Sequence, residues 1–281
     1  MKKIYFAIGV IILLLSSCGQ RKELNELQVR NLKGDVISVA TRTYKAKNKF
    51  GEITKDEVAY SNIYDELNSL IEFNNFKQLI SISAFDKRGD LEEKRIYTYK
   101  DDNLYCIDSY DENGELENKT IYTYENEFVS SIIMYDNDGD KIQTNTYENN
   151  GSRLTKLSFF DKEGELISST IFQGDNNRIS KQISTDKSGN ETIIINEFVG
   201  DFISKIIHPE YTIEVIRNKN NDVIEAINAE ISPNQNIIFS EGSNIIYEYE
   251  YDEKGNWIKR FEIDKSTKEA RYISERIIEY K

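Results

Sequence analysis

The chain has 281 residues, with 36 basic against 49 acidic side chains and a formal charge of -13. A surface this acidic repels phosphate backbones and anionic lipid, which excludes nucleic acid as a partner and excludes a basic membrane-surface patch. Only 38% of the residues are hydrophobic, below the usual range of about 45–50%, so a thick core is not expected and the 18 tyrosines carry much of the burial.

The chain opens "MKKIYFAIGVIILLLSSCGQ": two lysines, an apolar run from Ile4 to Leu15, then small residues before a cysteine. This is the layout of a cleaved secretory signal, and the run is too short to cross a bilayer comfortably. The residues Leu15-Ser16-Ser17-Cys18 resemble the lipobox of bacterial lipoproteins. The resemblance implies cleavage after Ser17, acylation of Cys18 and a membrane partner reached through the lipid. Gly19, where an Asp would retain the protein at the inner membrane, implies a place in the cell envelope at the outer membrane. Several acyl chains, at about 0.8 kcal/mol per buried CH₂, make a durable tether. The expected division is therefore a signal at 1–17, an anchor and tether at 18–31, and a β-sheet domain at 32–281. Loss of Lys2 and Lys3 with the signal takes the charge from -13 to -15. With Cys18 lipidated, Cys106 stands alone, so no intrachain disulfide forms and Cys106 reads as a small apolar strand residue.

After "RKELNELQ" (21–28), the one stretch with helical character, the pattern turns to strands at 33–44 and 56–64. A repeat then dominates. "FDKRG" begins at 85, "YDENG" at 110, "YDNDG" at 135, "FDKEG" at 160 and "TDKSG" at 185, four equal steps of 25 residues, and "YDEKG" returns at 251. The copies place Asp86 and Gly89, Asp111 and Gly114, Asp136 and Gly139, Asp161 and Gly164, Asp186 and Gly189, and Asp252 and Gly255 at equivalent positions. A tight hairpin uses a type I turn followed by one residue at positive φ, where Gly is least strained and Asn next. An Asp before it accepts a hydrogen bond from backbone two residues on. These residues therefore read as turn architecture. Asn68 in "YDELN" and Asn221 in "NKNN" read as worn copies, with Asn in place of Gly.

Between the turns, segments such as "ELENKTIYTYE" and "FVSSIIMY" are rich in β-branched and aromatic residues without helical spacing. Each unit then holds two strands of seven to nine residues. The expected fold is all-β: a long antiparallel meander of repeated hairpins with a 25-residue period, in total roughly 14 to 18 strands. Strongly twisted sheets rarely stay open beyond about ten strands, so this sheet is expected to curl, roll up or split. The serial "YDxxGxL" copies, with "YEYDEKGNWIKR" from 249, resemble the YD repeats of the Rhs family and of small bacterial lipoproteins built from them. That resemblance implies a sheet-forming repeat and, in large Rhs proteins, a shell around a toxic domain.

Candidate sites are few. The sole histidine, His208, precedes Pro209 in a loop-like stretch, and one histidine cannot supply a Ser-His-Asp arrangement. No enzyme activity, cofactor or metal is expected. "DNDGD" at 136–140 lacks the sixth-position Gly and twelfth-position Glu of a calcium loop. The acidic turns are expected to line one rim of the sheet. Tyr97, Tyr99, Tyr122, Tyr124, Tyr147 and Phe172 fall at equivalent places in successive copies, which makes an aromatic ladder with its rungs two strands apart. The ladder and Trp257 serve either to bind a glycan or protein partner or to pack the inside of a curled sheet. Three functions remain open: an envelope surface for another protein, a glycan-binding lipoprotein, and an accessory or shell-like partner of a toxin system.

Overall fold

A computed structural model describes residues 26–60, 66–151, 153–175, 178–199, 202–233 and 236–281. The expected signal, Cys18 and the second half of the strand expected at 56–64 lie outside them. About one turn of helix, α1 (Glu26–Val29), precedes the strands. The first are β1 (Val36–Lys49), β2 (Glu52–Val58), β3 (Ser69–Phe73) and β4 (Leu79–Phe85). The regular repeat supplies β5 (Leu91–Lys100), β6 (Asn103–Tyr110), β7 (Leu116–Glu125) and β8 (Phe128–Asp136). It continues through β9 (Lys141–Asn149), β10 (Leu154–Phe160), β11 (Leu166–Asp175) and β12 (Arg178–Asp186). The chain ends through β13 (Glu191–Val199), β14 (Phe202–Ile207), β15 (Thr212–Arg217), β16 (Val223–Ile231), β17 (Ile237–Tyr251), β18 (Trp257–Asp264) and β19 (Ala270–Tyr280).

Every pairing is antiparallel, and from β3 onward each strand pairs with the next. The sheet does more than curl: it closes. β1 pairs along one edge with β19, from Val36↔Tyr280 to Lys45↔Tyr272, and along the other with β3, from Ser38↔Glu72 to Thr41↔Ser69. The result is an 18-strand barrel, which removes the two edges that so long a meander would otherwise expose. The remaining strand, β2, pairs among the described residues only with β1, from Tyr44↔Val58 to Lys49↔Glu52. It forms a ribbon at the end of the barrel where β1 finishes.

β1 changes neighbour from β3 to β2 along one edge, and Asn68 spans the change. Its side chain accepts from Thr43 N–H (3.1 Å) and donates to the Ala59 carbonyl (2.8 Å). Asn68 is therefore a buried tie, not the positive-φ turn residue expected from its position in the repeat. The positive φ in this stretch belongs to Glu66 (53°). Asn221 does take the expected conformation, with φ of 74°.

Alternation along each strand divides the residues into an inner and an outer set. The inner set runs in register round the ring: Val39, Ile71, Ile82 and Arg95 are successive partners, and Ser274 closes it against Thr43. Buried residues on this face gather in three clusters, around Val39 and Ile82, around Leu157 and Phe172, and around Val215 and Ile245. Between them, on β8 for example, inner residues are only half-buried, as expected where a barrel of this size leaves a water-accessible lumen.

Candidate functional site

The two rims of the barrel differ because of how its turns are made. One rim, here the far rim, carries the turns that begin at Asp86, Asp111, Asp136, Asp161 and Asp186. In each, the Asp N–H donates to the carbonyl four residues on and the Gly N–H donates back to the Asp carbonyl at 3.0–3.2 Å. The glycines, with Gly255, have φ between +80° and +95°. At Asp111 the carboxylate accepts from the N–H of Asn113 (2.9 Å) and of Glu115 (2.8 Å). Backbone donors of this kind hold Asp86 and Asp111 below the usual carboxylate range, and at Asp186 the Asn190 side chain leads. Three consecutive far-rim turns, 111–115, 136–140 and 161–165, present nine carboxylates and a single lysine, Lys162.

The expectation that all copies share one rim holds for these five only. Strands β14 and β15 have six residues each, which shifts the phase. The turns at Asn218–Asp222 and Asp252–Asn256 consequently close on the opposite, near rim. There they meet the N-terminal segment. Asn31 donates to the Asn220 carbonyl (3.0 Å) and to Asp222 (2.9 Å). Lys33 N–H donates to Asn256 Oδ1 (2.7 Å), and Lys33 Nζ to the Gly255 carbonyl (2.8 Å). Arg30 pairs with Glu66 at 2.7 Å, while Leu27 joins the cluster around Val39. Residues 26–31, the end of the expected tether, thus belong to the packing of the barrel and stop its near end.

The aromatic ladder lies on the inner face. Tyr97 faces Ile107, Tyr122 faces Ile132, Tyr147 faces Leu157 and Phe172 faces Gln182, each a pair of inner residues on alternate hairpins. Phe172 is 3% exposed, and the three tyrosines are half-buried. Burial pushes the Tyr97 phenol up to about 12 and raises those of Tyr99 and Tyr122 as well. Tyr124 donates to the Leu104 carbonyl at 2.9 Å. None of these rings forms an outward row.

Trp257 is also buried, inside a polar cluster that the sequence reading missed. Arg276 lies 3.6 Å over its ring and Arg260 5.5 Å from it, with Tyr247 5.2 Å from Arg260. The residues that follow β16 reach into the lumen: the Ser232 carbonyl accepts from Arg260 (3.0 Å) and the Pro233 carbonyl from Arg276 (2.5 Å). Glu262, beside Arg260 and 3.5 Å from Arg271, has its carboxyl raised to about 7 by burial. Burial and the neighbouring Arg260 lower Arg276 to about 9. The signal for this cluster was present: Arg260 and Glu262 face Tyr249 and Tyr247, so charges occupied the tyrosine face of a predicted strand.

His208 sits in the β14–β15 turn, stacked on Tyr211 with ring centroids 4.3 Å apart. Cys106 is buried and its thiol is pushed up to about 11, mainly by burial.

No family model and no curated protein match the chain. Among solved structures, a porin-like protein from Bacteroides uniformis is similar over 88% of this chain and 99% of its own, at 11% identity and a TM-score of 0.41. The Tc holotoxin pore of Photorhabdus luminescens matches over 83% of this chain and 14% of its own, at 10% identity and a TM-score of 0.28. A crystal structure of TcdB2-TccC3 matches over 92% and 18%, at 11% identity and 0.29.

Proposed function

We propose that the protein is a lipid-tethered component of the cell envelope whose barrel is a rigid platform presenting its far rim to a protein partner. The observation that carries this reading is the opposition of the two rims. Glu26, the first described residue, lies in the segment packed on the near rim and is eight residues after Cys18, a reach of at most about 28 Å. The acidic turns and the β1–β2 ribbon stand at the other end of a wall about 30 Å tall. A lipid on Cys18 therefore holds the near rim toward the membrane and directs the far rim away from it.

The barrel itself stands outside the bilayer. Its outer face carries Lys119 paired with Asp108 (3.3 Å) and Lys205 paired with Glu214 (2.9 Å), and a lysine at the bilayer midplane costs about 2–4 kcal/mol. The ladder faces inward, so the glycan reading loses those rings, and the far rim favours a protein partner. Nine carboxylates on consecutive turns suit one with a basic surface. The closed, half-wetted lumen supports a second reading, a shell-like accessory of a toxin system that encloses part of its partner.

One experiment separates the two. A photocrosslinking residue in place of Glu163 on the far rim, or of Tyr122 in the lumen, is introduced in intact cells beside Cys18→Ala. Capture through position 163 supports the platform and capture through 122 the shell. Cys18→Ala is expected to leave the membrane fraction, and its retention there would contradict the tether.

A further inference from the structure

We infer that the outer wall formed by β11 to β15 is the contact face of a homodimer. Apolar side chains gather there in register: Ile171 faces Ile183, which faces Ile193, and Ile195 faces Ile207 on the next pair. Nearer the near rim, Val199 faces Phe202, with Ile216 on β15 beside them. Six of these, Ile171, Ile193, Ile195, Val199, Phe202 and Ile216, are between 38% and 73% exposed. Together they present roughly 600 Å² of surface, at the upper end of what a monomer leaves uncovered.

Two observations select a second copy as the occupant. The first is area. A standard interface takes about 800 Å² from each partner, and in homodimers about 65% of it is apolar, or roughly 500 Å²; the wall supplies that amount by itself. The second is charge. The molecule carries -13, so two copies repel over most of their surfaces. This wall is locally balanced: Lys181 and Lys205 stand against Glu197 and Glu214, with Lys205 and Glu214 already paired at 2.9 Å. Groups of both signs on one patch allow a two-fold contact in which each lysine meets a carboxylate of the other copy. Of the acidic turns, 111–115 and 136–140 belong to β6–β9 on a different part of the ring, and 161–165 lies on the rim where β11 begins.

Sedimentation of the full chain in mild detergent tests this, beside Ile193→Lys, Ile195→Lys and the control Ile96→Lys on another part of the outer face. The wild type and the control are expected at twice the monomer protein mass at micromolar concentration. The two wall variants are expected to dissociate at least roughly tenfold more readily, with unchanged circular dichroism. A wild type that stays monomeric, or a dimer weakened equally by Ile96→Lys, would overturn the assignment. So would a wall that proves to be covered by lipid vesicles while the protein remains monomeric. The outcome does not depend on Cys18, because release of Cys18→Ala from membranes is read separately from its mass.

Discussion

A turn glycine and a buried carboxylate illustrate how single residues set local stability here. At Gly114, φ is +80° and a Cβ would meet nothing within 4 Å, so any penalty for a side chain comes from the backbone alone. Gly114→Val is expected to lose about 1 kcal/mol or more, because a β-branched residue resists that conformation. Urea titration checks it, and an unchanged midpoint would contradict the turn. Glu262 behaves in the opposite sense to a surface acid. Its carboxyl is raised to about 7, so the folded state holds a proton that the unfolded chain releases near its ordinary value. Stability is thus full below that ordinary value and is lost as pH rises toward about 7, by about 3 kcal/mol at most. Glu262→Gln is expected to be flatter than the wild type between pH 5 and 8. Parallel urea titrations across that window decide it, and identical slopes would place the proton elsewhere. The turn glycines were legible in the sequence because their conformation is a local demand. Glu262 was not, because its burial is created by strands that arrive from other parts of the chain.

At the scale of elements, the hairpin period was legible and its consequences only in part. Tyr97, Tyr122, Tyr147 and Phe172 do fall on alternate strands and on one face, as a 25-residue period requires. Which face lies inside could not be read from β5 to β11, where both faces are half-polar; it is decided by the apolar inner residues of β3, β4 and β16. Asn68 was misread because an amide suits two uses, the positive-φ turn position and a buried tie between strands. Its tie has a measurable worth. Asn68→Ala leaves the Thr43 N–H and the Ala59 carbonyl without that partner at the point where β1 changes neighbour, and is expected to cost about 2 kcal/mol. Hydrogen exchange at Thr43 reports it directly, and protection equal to that of the wild type would mean that β1 is held there by other contacts. The rim to which Asp252 belongs was likewise hidden, since the period lapses after residue 185 and the two short strands β14 and β15 reverse the phase.

At the scale of the molecule, everything depends on a contact between the two ends of the domain. β1 and β19 are separated by more than two hundred residues of sequence, and neither carries a motif that announces the other. The inward ladder and the enclosure of the cluster at Trp257 follow once they pair; an open meander of the same hairpins would keep its acidic turns along one edge but would enclose neither. The direct test is a disulfide between Ala40→Cys and Ile277→Cys, residues that face one another across that seam. In a closed barrel their Cα atoms are about 5 Å apart; in an open sheet of this many strands they would be on the order of 80 Å apart. Rapid, near-complete formation of that bond in the native protein, identified by peptide mapping, is the predicted result. Two introduced thiols that both remain free and reactive under the same oxidising conditions would contradict closure.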